Sequence, residues 1–346
     1  VGEFELRERD GLARLGRLET PHGPIETPAL LPVVHPDPAR QPVSPKELRR
    51  RFGLNAVITS AYITSRTPPL AEIAESKGIH GLLDFDGPVM TDSGAFQQHA
   101  YGHVEVTPEH ILAFQRRIGS DIATVLDIFV EPGATEAQAL AGVDETIKRA
   151  HAARAVTRGL LAVPVQGGAF PELRQKSAAA ASTLGDVLAV GGVVPLLEQY
   201  RFAELARTLI AVRGSLAPEG VVHLFGTGHP ISFAFAALFG VDLFDSSSYL
   251  KFARRGALLF PEGTIAIDRV REPFCGCQLC GTIPLPEVAK LDGPDRVRAI
   301  AEHNLLQCAM EVARVRQAIR DETLWELAER RAAAHPALQA GLRSVV

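Results

Sequence analysis

Eight short runs of valine, isoleucine and leucine, separated by helix-like stretches, constrain this chain's fold more than any other feature. They are Ala29–Val34, Ala56–Ile63, Val89–Ser93, Ile122–Ile128, Leu160–Gln166, Val187–Val194, Val221–Gly226 and Leu243–Ser247. Such continuous apolar runs suit parallel strands covered on both faces. Helix signals lie between them. Thr107-Pro108 offers a cap and a first-turn proline ahead of Ile111, Phe114 and Ile118, and Thr135 with Gln138 reads as a capping box. Phe202, Leu205, Leu209 and Val212 form a stripe stopped by Gly214, and His229-Pro230 opens an apolar helix stopped by Gly240. Strand and helix in alternation predict an α/β chain folded as a (β/α)8 TIM barrel, with an open doubly wound sheet as the structural alternative. No G-x-G-x-x-G follows the first run, so a dinucleotide fold has no positive support.

Composition narrows the class. The chain has 346 residues, 46% hydrophobic and 22% charged, enough for a sizeable core. Four cysteines, three of them between positions 275 and 280, do not make a secreted disulfide framework. The first ten residues are too charged for a signal peptide, and no apolar run reaches membrane-span length, so a cytoplasmic protein with no membrane partner is expected. A net charge of -4 provides no global basic field. The clusters Arg49-Arg50-Arg51 and Lys251, Arg254, Arg255 read as solvated surface or as local nucleic-acid contacts.

The spacing Cys275-x-Cys277-x2-Cys280, followed by His303, supplies three thiolates and an imidazole, the closed tetrahedral set of a structural Zn2+ site. Cys308 falls on another helix face and reads as a small buried apolar residue. Helical stretches run from Asp295 to Arg331 with a break near Thr323. The chain therefore divides into a barrel over residues 1–260 and, over 261–346, a zinc-binding segment with C-terminal helices packed on the barrel.

Barrel active sites form at the carboxyl ends of the strands. Those ends carry Asp92-Ser93-Gly94-Ala95-Phe96-Gln97, Asp127, Gln166-Gly167, Gly191-Gly192-Val193, Phe225-Gly226-Thr227-Gly228-His229 and Asp245-Ser246-Ser247. Any single aspartate here reads as readily as a helix cap; three together do not. Glycines admit a flat ligand to the backbone, and Phe96 offers a stacking face. Asp127 and Gln166 match the donor and acceptor edge of a heterocycle such as guanine, and a backbone N–H near Gly192 reaches its carbonyl. His229 reads first as a helix start. Paired carboxylates at such a mouth point to glycosidic chemistry, one attacking the sugar carbon and the other shuttling a proton.

With these residues in this order, the chain resembles the tRNA-guanine transglycosylase family, most of all its archaeal, archaeosine-forming branch. The matching pieces are Thr91-Asp92-Ser93-Gly94-Ala95-Phe96-Gln97, Leu126-Asp127-Ile128, Gln166-Gly167, Gly191-Gly192-Val193-Val194-Pro195-Leu196-Leu197-Glu198, Leu224-Phe225-Gly226-Thr227-Gly228-His229-Pro230, Phe244-Asp245-Ser246 and the Cys3His pattern. The resemblance implies a barrel that exchanges a guanine of tRNA for a 7-deazaguanine. Asp245 is then the nucleophile on ribose C1′ and Asp92 the general acid/base. Asp127, Gln166, Gly192 and Val193 bind the base, Phe96 stacks on it, and Ser93 helps hold the base or Asp92. The Gly191–Glu198 run is similar to the archaeal form, which implies 7-cyano-7-deazaguanine (preQ0) as incoming base and a D-arm guanine, position 15, as target. The target guanine is expected to flip out of its stack.

The family also implies a homodimer packed partly through the zinc region. Lys251, Arg254, Arg255 and the arginines of the last helices are expected to hold tRNA electrostatically. Phe129-Val130-Glu131 departs from the Pro-Thr-type turn expected after Asp127. Archaeal members continue into RNA-binding modules including a PUA domain, whereas this sequence ends at Val346: either that half is cut from the sequence, or it is a separate PUA-type RNA-binding subunit, or the substrate differs. Two other readings follow: a transglycosylase that inserts a 7-deazaguanine into DNA, and a non-catalytic partner subunit, against which the retained Asp92, Asp127 and Asp245 argue.

Overall fold

A computed structural model describes residues 3–95, 106–217, 219–272, 275–282, 285–288 and 290–344. Strands β4 (Ala29–Val34), β5 (Val57–Ser60), β6 (Val89–Asp92), β7 (Ile122–Thr124), β8 (Leu160–Val165), β9 (Val187–Val190), β10 (Val221–Leu224) and β11 (Leu243–Ser246) close into a parallel barrel, β11 pairing back onto β4. Helices intervene between the strands, so the fold is the expected TIM barrel rather than the open sheet.

Side-chain parity shapes the barrel. In a strand, residues two apart share a face. Ala29, Leu31, Ile58, Met90, Ile122, Leu160, Ala162, Val187, Val221 and Leu243 meet in one apolar cluster that draws on every barrel strand and no surrounding helix. Their neighbours Leu30, Val57, Val89, Ala123, Leu161, Leu188, Val222 and Phe244 join the larger cluster shared with the helices. The same parity carried upward aims Ser60, Asp92, Gln166, His223 and Asp245 into the mouth.

An antiparallel sheet precedes the barrel: β1 (Phe4–Asp10), β2 (Ala13–Leu18) and β3 (Ile25–Thr27). Phe4, Leu18 and Ile25 seal the interior cluster from below. Two polar bolts fasten this sheet. Arg14 grips Asp242 through Nε at 2.7 Å and Nη2 at 2.6 Å, both side chains buried. Asp121 accepts from Val89 N at 2.7 Å and meets His22 Nδ1 at 2.7 Å and His80 Nε2 at 2.9 Å, the two imidazoles stacked 3.6 Å apart.

The helix signals act as expected. Thr107 caps Pro108–Arg117, Thr135 and Gln138 complete a capping box, and Phe202–Arg213 runs up to Gly214. Beyond the barrel, the hairpin β12 (Ala257–Phe260) and β13 (Gly263–Ala266) leads to helices Gly293–Arg320, Leu324–Ala333 and Pro336–Arg343, the break falling at residues 321–323. Asn304 clasps the hairpin to the long helix, accepting from Leu259 N at 2.8 Å and donating to Tyr249 O and Ala257 O. Among the described residues, no helix is long and apolar enough to cross a membrane.

Seven of the eight expected strands run past the observed end, three of them by three residues or more. The run Ala56–Ile63 leaves the sheet at Ser60, whose hydroxyl caps the helix Ala61–Arg66 by accepting from Ile63 N. β7 ends at Thr124, and β9 ends at Val190, before a Gly191-Gly192 turn and the short helix Val194–Glu198. Apolar character continues through these turns because the chain stays buried there, so hydrophobicity alone does not mark where sheet pairing stops.

Candidate active site

Asp245 and Asp92 both lie at the ends of barrel strands, close enough for the charge of one to act on the other. Asp245 is on β11, where the run Leu243-Phe244-Asp245 alternates inward, outward, inward. Its Oδ1 accepts from Gly226 N at 3.0 Å. Gly226 is at φ +76, and a Cβ there would stand 2.6 Å from Val194, so only glycine lets the loop after β10 present its N–H. His223, fully buried on β10, brings Nε2 to 2.9 Å from the same Oδ1, a contact that becomes an ion pair when the imidazole is protonated.

Asp92 ends β6 beside Ser60 on β5, its register partner, and the Ser60 hydroxyl donates to Oδ1 at 2.9 Å. Burial pushes the Asp92 carboxyl up to about 7, and the Asp245 charge adds to this, against the pull of Ser60 and the Gly94 N–H. Near neutral pH the mouth thus holds a carboxyl poised between its two protonation states, the condition for a proton shuttle.

A second pair lies alongside. Gln166, one residue beyond β8, donates through Nε2 to Asp127 Oδ2, and both side chains are buried. Gln166 Oε1 accepts from Val130 N at 3.3 Å, which fixes the amide's orientation. Burial raises the Asp127 carboxyl above the usual range, with Gln166 opposing. The Gly191-Gly192 turn passes directly over this pair: a Cβ on Gly191 would stand 2.5 Å from Gln166 Nε2, and one on Gly192 2.9 Å from Gln166 Oε1. Val193 is buried and joins the main apolar cluster. Ser93 is also buried and donates to Val125 O at 3.2 Å, not to Asp92. Phe96 lies outside the described residues.

Where the Pro-Thr-type turn was expected after Asp127, Val130 packs in a small buried cluster with Ala139, Val143 and Leu173 and supplies the N–H that orients Gln166. His229 is a helix start: Nδ1 accepts from Ile231 N, and burial lowers the imidazole to about 4. Sequence reading missed Ser60, His223 and Arg174. The first two share inward parity with Asp92 and Asp245, a signal present in the sequence once strand ends are known. Arg174, in a helix, gave none.

The Cys3His residues also converge. His303 Nδ1 lies 3.6, 3.2 and 3.7 Å from the sulfurs of Cys275, Cys277 and Cys280. A tetrahedral shell with metal–sulfur bonds of about 2.3 Å and metal–nitrogen bonds of about 2.0 Å has nitrogen–sulfur edges of about 3.6 Å. The opposite ring nitrogen, Nε2, is 3.2 Å from Leu259 O, which orients the imidazole toward the sulfurs. The donor set therefore fits a metal ion. Cys308 is buried near Gly228 O and takes no part.

The basic clusters are partly neutralised. Arg49 pairs with Asp86, Arg51 with Glu302 and Lys251 with Glu198, while Arg254 and Arg255 are exposed.

The chain is 44% identical to the tRNA-guanine(15) transglycosylase of Methanosarcina barkeri over 99% of its own length and 69% of that protein's. It is 44% identical to the Thermoplasma acidophilum protein of the same name, covering 97% of this chain but 52% of the relative, and 43% identical to that of Archaeoglobus fulgidus, covering 99% and 71%. The chain thus spans between about half and about seven-tenths of these relatives. The family model for queuine tRNA-ribosyltransferase matches residues 9–337, and the chain belongs to that family.

Proposed function

We propose that this chain exchanges guanine 15 in the D arm of tRNA for preQ0, by two displacements through a covalent Asp245–ribose intermediate. The observation that carries the reading is the pair of carboxylates at the mouth, one anchored by the Gly226 N–H and the other lifted to about 7 by burial and by its neighbour's charge.

The steps follow from the residues. Asp245 Oδ1 accepts from Gly226 N, which leaves Oδ2 to attack ribose C1′. The C1′–N9 bond breaks, its electron pair passes to guanine, and protonated Asp92 supplies a proton to the departing base. Incoming preQ0 loses its N9 proton to the Asp92 carboxylate. The freed N9 attacks C1′ and releases Asp245, so the anomeric configuration is retained. Asp127 and Gln166 read the edge of the base, Gly192 and Val193 form the adjoining wall, Ser93 supports the floor and Phe96 stacks on the ring.

Zinc bound by Cys275, Cys277, Cys280 and His303 is structural: four protein ligands close the shell, and it ties the Cys275–Cys280 segment to the long helix. Exposed Arg254 and Arg255, with Lys251, contact the tRNA backbone. The greater length of the relatives fits an RNA-binding PUA-type module acting with this region, on the same or a separate chain. Homodimerisation through the zinc region and a cytoplasmic location complete the proposal.

Exchange of labelled guanine into tRNA tests it. Wild-type protein should incorporate label and form an RNA adduct stable to denaturation, and Asp245→Ala should do neither. Full exchange by Asp245→Ala would refute the assigned nucleophile.

A further inference from the structure

Beneath the base-reading pair lies a charge that the mechanism above does not use. Arg174, in the first turn of the helix Pro171–Leu184, is 1% exposed. Its guanidinium turns back under the mouth: Nε donates to Gly168 O at 3.1 Å, and Nη1 donates to Val165 O and Gly191 O, both at 2.8 Å. Nη2 has no hydrogen-bond partner among the described residues, and burial with no offsetting carboxylate lowers Arg174 to about 10. An unpaired interior charge is costly. All three carbonyls it holds lie at the ends of β8 and β9 or in the loops that follow.

The orientation of one peptide makes this informative. A trans peptide is planar, so the C=O of Gly191 and the N–H of Gly192 point in opposite directions. Arg174 fixes the carbonyl on its own side, and the Gly192 N–H is turned away from it. That N–H finds no acceptor among the described residues. The Gly191-Gly192 backbone lies directly against Gln166 and Asp127. An unsatisfied buried N–H beside a pair suited to a purine edge awaits an acceptor from the ligand.

We infer that Arg174 is a positioning residue for base recognition: by holding the carbonyls of Val165, Gly168 and Gly191 it presents the Gly192 N–H to the carbonyl oxygen on the six-membered ring of the base. This rests on the base-exchange reading. Guanine and 6-thioguanine separate the roles. The thio base keeps N1–H and the 2-amino group but offers sulfur, a weak acceptor, in place of oxygen. The measurement is the affinity of each base by calorimetry for wild-type protein, R174M and R174K, with melting curves to confirm folding.

Wild type should prefer guanine. R174M should lose about 10-fold or more in guanine affinity, the equivalent of one buried hydrogen bond, with little change for 6-thioguanine, so the preference collapses. R174K keeps the charge but lacks the planar fork that reaches three carbonyls, and it should show an intermediate loss of preference. It serves if R174M does not fold. Variants as selective as wild type, or an equal loss for both bases, would overturn the role of Arg174 alone. Wild-type protein that binds neither base would overturn the base-exchange reading itself.

Discussion

Asp92→Asn isolates the electrostatics of the mouth, because it keeps the side chain's shape and removes the ionisation. Burial and the Asp245 charge raise the Asp92 carboxyl from 3.8 to about 7. A raised carboxyl contributes stability that is fully present below its unfolded value and is lost as pH climbs toward the folded value. At about 1.4 kcal/mol per pH unit, the native state loses roughly 1.5 kcal/mol by about pH 5 and roughly 4 kcal/mol by about pH 8. Asparagine has no such dependence, so the variant should gain about 2–3 kcal/mol on wild type between those two conditions. Urea unfolding across this range, with m-values compared to confirm two-state behaviour, reads the difference directly. Guanine exchange should meanwhile fall by about 10²–10⁴, the contribution of a positioned proton donor. Stability curves for the two proteins that run parallel from pH 5 to pH 8 would refute the reasoning, since Asp92 would then titrate like an exposed carboxylate. A variant that loses ground on wild type as pH rises would refute it equally.

Asp242→Ala strands the buried Arg14 charge at the base of the barrel and should cost about 3–5 kcal/mol in denaturant unfolding, with the exchange rate per folded molecule unchanged. Burial alone would raise Asp121, but donors on His80, His22 and Val89 outweigh it and hold its carboxyl below the usual range. That stability is present above the unfolded value near pH 4 and is lost as pH falls through the depressed folded value, so the deficit of Asp121→Asn, about 1–3 kcal/mol at neutral pH, should shrink in acid. Stripping metal with a strong chelator should lower the melting temperature and speed amide exchange in residues 275–282 and the adjoining turn of the long helix, while β6–β9 stay protected; metal analysis of the untreated protein should show one zinc per chain.

Much of this protein is legible without coordinates because its signals are local. Continuous apolar runs, capping boxes and a four-ligand spacing each depend on residues near one another in the chain, and the barrel strands, the helix caps at Thr107 and Thr135 and the Cys3His set emerge accordingly. Boundaries are less legible. Ala56–Ile63 reads as one strand because its β-branched residues hide the cap at Ser60, and the charged run Phe4–Asp10 gives little sign of a strand because only part of it faces the core.

The sequence alone determined which chemical groups the chain owns and, through their periodicity, that Asp92, Asp127, Gln166 and Asp245 gather near the ends of barrel strands. Tertiary structure decided what those groups became. It set Ser60 beside Asp92, His223 and Gly226 against Asp245, and Arg174 beneath Gly191. Neighbours from distant parts of the chain, and the water they exclude, set the ionisation of a carboxyl and the direction of a peptide N–H. Desolvation and hydrogen-bond direction depend on three-dimensional proximity, which residue type and spacing do not specify.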